Sequence, residues 1–283
     1  MKFSRLMLGT VQFGLKYGIA NTTGKPSYET VKEILKLALD NGVTALDTAA
    51  AYGDSEEVLG KAMAELGIAD KITVVSKVPP ILDDNADPMG FIESSVARSL
   101  ERLRIPVLPL VLFHREFNSE YLPLMQKLVD KGMILHGGVS LDSQAHAYKA
   151  NEIDYIQVPG NVLDRRFDNA FSADRPGHVF IRSVYMQGML LMPRDKFPSP
   201  ELLAWRDKLE SFGMPIHELC MRYLLSKPGP VSVLTGVDTV EQFRENIRAA
   251  EKGPLPEDVY KAVNEIIPAQ DERLVRPACW DFN

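Results

Sequence analysis

The sequence predicts an α/β fold of the (β/α)8 class, a TIM barrel that residues 1–283 form as a single domain. Short aliphatic or β-branched runs alternate along the chain with segments of helical periodicity, a pattern typical of parallel strands joined by crossover helices. Eight of these runs can be assigned as strands, the number that such a barrel requires. With 283 residues and 45% hydrophobic content, the chain is long enough to bury the core of one barrel.

The predicted strands are short apolar runs bounded by turn or helix signals. They cover Leu6–Gly9, Ala45–Asp47, Ile72–Lys77, Val111–His114, His136–Ser140, Tyr155–Val158, Val179–Ser183 and Ser232–Thr235. Barrels of this class build their active sites from the loops at the carboxyl ends of the strands. The residues that follow each predicted strand are therefore the first candidates for function.

The predicted helices carry apolar residues on one face. In the first helix, Val31, Ile34, Leu35 and Leu39 share a face, and Asn41-Gly42 ends it. The other helices are expected at Glu56–Leu66, Phe91–Leu103, Leu122–Lys131, Ser143–Ala150, Pro215–Leu225 and Val240–Ala250. The segments Asn161–Pro176, Pro193–Pro200 and Pro268–Asn283 are expected to be irregular.

Composition and charge favour a small-molecule partner in the cytoplasm. The net charge of -6 is spread along the chain, so neither a nucleic-acid nor a membrane surface is expected. No secretory signal and no run of about 20 apolar residues is visible. Cys220 and Cys279 are expected to be free thiols, with a single disulfide as the alternative. No metal site is predicted, and the chain is expected to be a monomer or a small homo-oligomer.

Four ionisable residues lie at or just after predicted strand ends. Asp47, Lys77 and His114 each follow an aliphatic run, and Tyr52 comes soon after Asp47 in LDTAAAYG. Because the carboxyl ends of barrel strands meet at one rim, these side chains are expected to converge. Each residue taken alone would have an ordinary structural role, such as a cap, a core tyrosine or a solvated lysine.

The sequence resembles the aldo-keto reductase family. The resemblance lies in LGTVQFG, DTAAAYGDSEEVLGKA, VVSKV, LFHRE and TGVDTVEQFREN, and it extends over nearly the whole chain. It implies reversible reduction of an aldehyde or ketone to an alcohol, with hydride from NAD(P)H and a proton from Tyr52. It also implies that the catalytic tetrad is Asp47, Tyr52, Lys77 and His114.

The chemistry of these residue types agrees with that assignment. A phenol with an ordinary pKa near 10 is a weak acid at neutral pH. An ammonium at Lys77 would lower the pKa of Tyr52, and Asp47 would hold the ammonium charged. His114 would donate to or orient the substrate oxygen. The other histidines, His136, His146, His178 and His217, are expected to be structural or exposed.

The resemblance also implies a set of cofactor contacts at the later strand ends. Small polar side chains there would bind the nicotinamide carboxamide, and backbone amides before the last predicted helix would hold phosphate. The residues implied are Thr10, Asp47, Ser140, Gln157, Arg182, Ser183, Gly236, Val237, Thr239, Gln242 and Asn246.

Several positions differ from the usual family pattern. Leu141 and Arg182 replace a common Asn and a common stacking aromatic residue, and Gln242 replaces an Arg that holds the 2′-phosphate of NADP. The eighth strand ends in Thr235-Gly236, where many members have Lys-Ser. The resemblance favours NADP, and NAD remains possible.

Two other functions remain open. Lys77 could instead form a Schiff base in an aldolase-type barrel. The chain could also be a low-turnover regulatory subunit that binds nicotinamide, as potassium-channel β subunits do. The substrate is not predicted, because the loops that would form its pocket vary freely on one scaffold. Trp280, with Phe282 nearby, would either wall the barrel mouth or pack on the outside of the barrel.

Overall fold

A computed structural model describes residues 2–280 of the chain, and its strands form a closed parallel barrel in sequential order. The barrel closes where the first strand pairs with the last, with Leu6 opposite Val233 and Gly9 opposite Gly236. The strands are β1 (Leu6–Gly9), β2 (Ala45–Asp47), β3 (Thr73–Val78), β4 (Leu108–Phe113), β5 (Ile134–Ser140), β6 (Tyr155–Pro159), β7 (His178–Arg182) and β8 (Val231–Gly236). The predicted (β/α)8 fold is confirmed.

Helices pack around the barrel and follow most of its strands. The α-helices are α1 (Val11–Gly14), α2 (Tyr28–Asp40), α3 (Ser55–Leu66), α4 (Pro88–Leu103), α5 (Leu122–Asp130), α6 (Pro200–Glu210), α7 (Ile216–Leu225), α8 (Val240–Glu251), α9 (Glu257–Ile266) and α10 (Glu272–Val275). The predicted end of α2 is confirmed, since Asn41 is its C-cap and Gly42 has a φ of +70°.

The local structure differs from the sequence predictions in three places. The segment predicted as a helix at Ser143–Ala150 is a 3-10 helix, Gln144–Asn151, and Ala150 is its only buried residue. Without a continuous buried face, nothing stabilises a regular α-helix there. The helix α9 was not predicted, although burial of Val263 anchors it. The tail from Pro268 is not a plain loop, because α10 lies within it.

Strand alternation divides the core into two layers. Met7, Ala45, Val75, Leu110 and Phe180 form a buried cluster separate from the larger cluster under the helices. Successive strand residues face opposite sides of a sheet, so this separate cluster fills the barrel interior. The interior is therefore packed below the carboxyl rim, where a ligand site is expected.

Two further predictions concern cysteines and membrane segments. Both cysteines are free: Cys220 is buried, which raises the pKa of its thiol to about 12, and Cys279 is exposed. In the described part of the chain, no helix has both the length and the apolar character needed to cross a membrane.

Candidate active site

Strand alternation directs Asp47 and Lys77 into the barrel. Asp47 is two residues after Ala45, and Lys77 is two residues after Val75, so each lies on the inward face directly above the interior cluster. Both side chains are almost fully buried, with 2% and 0% exposed respectively. The carboxylate and the ammonium meet at 2.6 Å between Asp47 Oδ1 and Lys77 Nζ.

The ammonium of Lys77 has an oxygen partner for each of its three protons. Lys77 Nζ donates to Asp47 Oδ1, to the carbonyl of Thr48 at 2.9 Å and to the hydroxyl of Tyr52 at 3.3 Å. Burial is the largest single effect and favours the neutral amine, but Asp47 and Tyr52 together outweigh it and raise the pKa of Lys77 above its ordinary value. Lys77 is therefore charged at neutral pH.

Tyr52 lies in the turn between β2 and α3 and presents its hydroxyl to this ammonium. Burial is the largest effect on the hydroxyl and raises the pKa of Tyr52, and the charge of Lys77 offsets it only in part. Lys77 does lower the pKa of Tyr52, as expected. The prediction of a pKa below the ordinary value was wrong, because all effects together raise it. Low polarity around the phenol outweighs the neighbouring cation.

His114 follows β4 and faces Tyr52 across the site. The two rings meet edge to face, with centroids 5.6 Å apart and an interplanar angle of 82°. Burial, together with the positive charges of Lys77 and Arg182, lowers the pKa of His114 to about 3. The imidazole is therefore neutral at physiological pH, and its Nδ1 has no hydrogen-bond partner among the described residues.

A cavity of about 760 Å³ opens at the carboxyl rim directly above these residues. Asp47, Tyr52 and His114 line it, whereas Lys77 lies beneath it. The implied cofactor residues that also line this cavity are Thr10, Ser140, Gln157, Arg182, Ser183, Gly236, Val237, Gln242 and Asn246. The structure thus brings almost all of the candidate residues to one site.

Thr239 is the exception among the implied cofactor residues. It is the N-cap of α8, where its side chain accepts a hydrogen bond from Gln242 N at 3.2 Å, and it does not line the cavity. Several of the other implied residues already have structural partners, among them Gln157 and Thr10. Gln157 Nε2 donates to Asp47 Oδ1 at 2.6 Å, and the Thr10 hydroxyl donates to the carbonyl of Asp47 at 2.8 Å.

Unpartnered polar atoms show that the cavity suits a polar ligand. Gln12 Oε1 and Thr235 Oγ1 are buried, line the cavity and have no hydrogen-bond partner among the described residues. Buried polar atoms are rarely left without a partner in native proteins. Together with His114 Nδ1, they fit a ligand with several hydrogen-bonding groups, as a nicotinamide dinucleotide has.

The site geometry agrees with a sequence-profile match. The profile of the Aldo/keto reductase family matches residues 5–174 and 183–268, which is most of the chain. This chain belongs to the aldo/keto reductase family. The predicted family membership is confirmed.

Known relatives extend over most of this aldo/keto reductase. Aldo-keto reductase YhdN of Bacillus subtilis is 28% identical over 273 residues, which cover 82% of this chain and 81% of YhdN. An Arabidopsis thaliana protein named "probable voltage-gated potassium channel subunit beta" is 24% identical over 300 residues, covering 89% of this chain and 90% of that protein. An aldo-keto reductase of Bacillus halodurans in its holo form has the same fold, with a TM-score of 0.76 and 21% identity over 95% of this chain and 93% of that one.

Arg182 lies at the cavity wall of this aldo/keto reductase, where many family members have an aromatic residue. Its Nη2 donates to Asp142 Oδ1 at 2.6 Å and to the carbonyl of Leu141 at 3.2 Å. Asp142 Oδ2 accepts a second charged hydrogen bond, from Arg276 Nε at 2.7 Å. These two arginines hold the pKa of Asp142 well below its ordinary value. This bridge could not be predicted from the sequence, because Asp142 and Arg276 are far apart along the chain.

The loop after β7 has an unusual backbone. Ser183, Met186 and Gln187 have φ values of 66°, 49° and 56°, in the left-handed region that non-glycine residues rarely adopt. The same loop lines the cavity. Strained backbone of this kind persists where surrounding structure fixes it and is common at binding sites.

Cavity residues on the loop after β1 were also not predicted from the sequence. Asn21 is buried, and its Nδ2 donates to Asp238 Oδ1 at 2.8 Å, which joins this loop to the turn before α8. His217, expected to be structural or exposed, lines the cavity from α7. No local motif marks these residues, because only the closed barrel brings their segments together.

The tail contributes to the cavity wall, but not through its tryptophan. Pro277 and Ala278 line the cavity, whereas Trp280 packs against the hydrophobic core and donates from Nε1 to the carbonyl of Leu274 at 2.7 Å. Of the two alternatives for Trp280, packing on the barrel matches these contacts. Phe282 lies outside the described residues.

Proposed function

We propose that this protein reduces an aldehyde or ketone to an alcohol, reversibly, with a nicotinamide dinucleotide as hydride donor and Tyr52 as proton donor. The observation that carries the proposal is the 3.3 Å contact between the Tyr52 hydroxyl and Lys77 Nζ at the floor of the cavity. It supplies the two things that carbonyl reduction needs from the protein, a positioned proton and a fixed positive charge.

A bound nicotinamide supplies the hydride, and the protein supplies its binding and orientation. Ser140 and Gln157 line the inner part of the cavity and would bind the carboxamide. Gln157 is fixed by its hydrogen bond to Asp47, so its amide orientation is set before a ligand enters. Gly236 and Val237, just before α8, would hold phosphate with their backbone amides.

The proton transfer follows from the buried ion pair. As a carbonyl oxygen gains negative charge, Tyr52 gives up its proton, and the ammonium of Lys77 stabilises the resulting phenolate. Burial raises the pKa of Tyr52, so the hydroxyl stays protonated until the substrate oxygen becomes basic. Asp47 keeps Lys77 charged throughout, because the carboxylate remains 2.6 Å away.

His114 is suited to bind the substrate oxygen as a neutral donor. Its pKa of about 3 means that one ring nitrogen carries a proton at pH 7 and the other does not. A neutral imidazole can donate a hydrogen bond without competing with Tyr52 as an acid. The edge-to-face contact with Tyr52 places both groups at the same end of the cavity.

The Schiff-base alternative has less support from this geometry. A lysine that attacks a carbonyl must be a free amine. Here the Asp47 carboxylate raises the pKa of Lys77, and all three ammonium protons have acceptors. Lys77 also lies beneath the cavity, so the Tyr52 hydroxyl would reach a substrate first.

A panel of aldehydes and ketones with reduced nicotinamide cofactors tests the proposal. We expect steady oxidation of the cofactor with at least one carbonyl, and the reverse reaction with the matching alcohol. Borohydride treatment with the same carbonyls should leave Lys77 unmodified. A covalent adduct on Lys77, with no cofactor oxidation across the panel, would instead support an aldolase-type enzyme that forms a Schiff base.

A regulatory role is the second candidate function, because one relative, from Arabidopsis thaliana, is named as a probable channel β subunit. Such a role predicts a single slow oxidation of bound cofactor without turnover. Multiple turnovers per protein molecule with a simple aldehyde would support the reductase. A single turnover limited by cofactor release would favour the regulatory role.

A further inference from the structure

We propose that this protein selects NADH over NADPH, through the carboxylates of Asp238 and Glu245 at one end of the cavity. The inference rests on the proposed function, since it specifies which dinucleotide the same cavity binds. It reverses the expectation of NADP that the family resemblance gave. The argument depends on which charges line the part of the cavity formed by β8 and α8.

That end of the cavity is acidic. Its lining residues run from the end of β8 into α8 and are Leu234, Thr235, Gly236, Val237, Asp238, Gln242, Glu245 and Asn246. Among these described residues, two are carboxylates and none is a lysine or arginine. The family resemblance assigns the same segment to the adenosine and phosphate end of the cofactor.

The arginines of α8 do not compensate for these carboxylates. Arg244 forms an ion pair with Glu241, Arg248 lies 3.6 Å from the same glutamate, and neither arginine lines the cavity. Two cavity-lining cations lie elsewhere: Arg182 at the end of β7 and Arg115 directly after His114. Both are therefore on the side of the catalytic residues.

Lys196 is the remaining cation among the described lining residues. It lies in a 3-10 turn, Arg194–Lys196, on the loop that follows β7. That loop is separate in sequence from the β8–α8 segment. Lys196 is therefore an alternative binding site for a 2′-phosphate, and it would favour NADPH.

The Asp238 carboxylate is held in place. Asn21 Nδ2 donates to Asp238 Oδ1 at 2.8 Å, and Asn21 Oδ1 accepts from the backbone of Thr23 and Gly24 at 3.2 and 2.7 Å. The backbone N–H of Asp238 donates to Gln242 Oε1 at 2.7 Å. Burial raises the pKa of Asp238, and no cation among the described residues lies close enough to lower it. The carboxylate is thus fixed and has no neutralising partner.

Two unpartnered polar atoms at this end of the cavity independently indicate a ligand there. Thr235 is 2% exposed, lines the cavity and has an unpartnered hydroxyl oxygen. Gln12, 9% exposed, presents its unpartnered Oε1 to Gly236 from the other side. At the position where the acidic segment begins, the Thr235 hydroxyl can donate or accept a hydrogen bond, and Gln12 Oε1 can accept one.

A carboxylate treats the two cofactors differently. The ribose of NADH has a 2′-hydroxyl, which can donate a hydrogen bond to a carboxylate, and acidic residues have this role in other dinucleotide sites. The 2′-phosphate of NADPH carries close to two negative charges at pH 7 and offers mainly acceptors. Placed beside Asp238 and Glu245, it would meet repulsion and no cation.

Equilibrium binding to the full-length protein tests the proposal without relying on turnover. Fluorescence or calorimetric titration gives Kd for NADH and NADPH, and also for 5′-AMP and its 2′-phosphorylated form, which lack nicotinamide. We expect NADH to bind about tenfold or more tightly than NADPH, and 5′-AMP more tightly than its 2′-phosphate. Equal or tighter binding of the 2′-phosphorylated members would overturn the selectivity and leave the reductase proposal intact. Absence of binding by any of them would overturn both.

Charge variants locate the selectivity. Asp238→Asn should reduce the NADH preference by about tenfold, mostly through tighter NADPH binding. Glu251→Gln removes the same charge from an exposed position at the end of α8, outside the cavity, so its Kd ratio should match that of the unmodified protein. If Asp238→Asn also leaves the ratio unchanged, Asp238 is not the determinant. If Lys196→Ala abolishes a preference for NADPH, the rival site on the β7 loop is established instead.

Discussion

Lys77 Nζ and Asp47 Oδ1 lie 2.6 Å apart, inside the barrel, on side chains that are 0% and 2% exposed. A pair buried so deeply adds little net stability compared with apolar residues, but removal of one partner leaves the other charge without compensation. The pair therefore has a functional explanation, since it holds a cation beneath the Tyr52 hydroxyl. It also leads to a direct prediction about stability.

Lys77→Met should destabilise the protein by about 3–5 kcal/mol, because Asp47 would remain buried without its cation. The shift in the urea midpoint measures this change. Lys131→Met is the matched control, since Lys131 pairs with Glu93 on the surface and both side chains are more than a third exposed. The control should cost less than about 1 kcal/mol. Similar losses of unfolding free energy in the two variants would contradict this prediction, because breaking the buried pair would then cost no more than breaking a surface pair.

The pH profile of carbonyl reduction should be flat across the neutral range. His114 has a pKa of about 3 and must be neutral, so its effect appears only in strong acid. Tyr52 must be protonated, and its pKa is raised, so activity is lost only as the pH rises above the ordinary tyrosine value near 10. We expect kcat/KM to be level between about pH 5 and about pH 9. An ionisation with a midpoint between about pH 6 and 7 would contradict the assigned state of His114.

Gly14→Ala should reduce kcat although it replaces no catalytic residue. A Cβ at Gly14 would lie 1.7 Å from the carbonyl oxygen of Tyr52 and 2.6 Å from Ser55 N, so the backbone that carries Tyr52 must move. Displacement of a catalytic group by about 1 Å can cost about 100-fold in rate. Steady-state kinetics measures the loss. Gly132→Ala, at a left-handed position with open space around it, should lower stability but leave kcat unchanged.

Arg276→Ala should loosen the tail that lines the cavity. Arg276 is 23% exposed and donates to Asp142, which also holds Arg182, whereas Arg273 is 84% exposed and pairs only within the tail. Loss of a charge-assisted hydrogen bond of this kind costs about 1.5–3 kcal/mol. Limited proteolysis should therefore cut residues 268–280 faster in Arg276→Ala than in Arg273→Ala. Equal cleavage rates would mean that the Asp142 bridge does not anchor the tail.

Much of the barrel could be predicted from the sequence because its signals are local. The strands β1 and β2 have the predicted bounds, and α8 differs from its prediction by one residue, since apolar periodicity and Thr239 as N-cap define it. The 3-10 helix at Gln144–Asn151 was misassigned because helix propensity alone cannot replace a buried face. The strand β4 begins earlier than predicted, at Leu108.

In the candidate site, too, local features were predictable and long-range contacts were not. The residues at strand ends were predictable, since alternation and the order of the strands determine where Asp47 and Lys77 point. The Asp142 bridge, the Asn21–Asp238 contact and the unpartnered Thr235 hydroxyl depend on segments that meet only in the folded chain. The pKa of Tyr52 was predicted in the wrong direction, because a sequence gives neighbouring charges but not the degree of burial.

The most direct test of the account compares Tyr52→Phe with the unmodified protein, in both cofactor binding and turnover. The substitution removes one hydroxyl and keeps the ring that packs against His114. We predict that kcat for carbonyl reduction falls by about 100- to 10,000-fold while Kd for the reduced cofactor stays within about twofold. Unchanged turnover in Tyr52→Phe would contradict the assignment of Tyr52 as the proton donor.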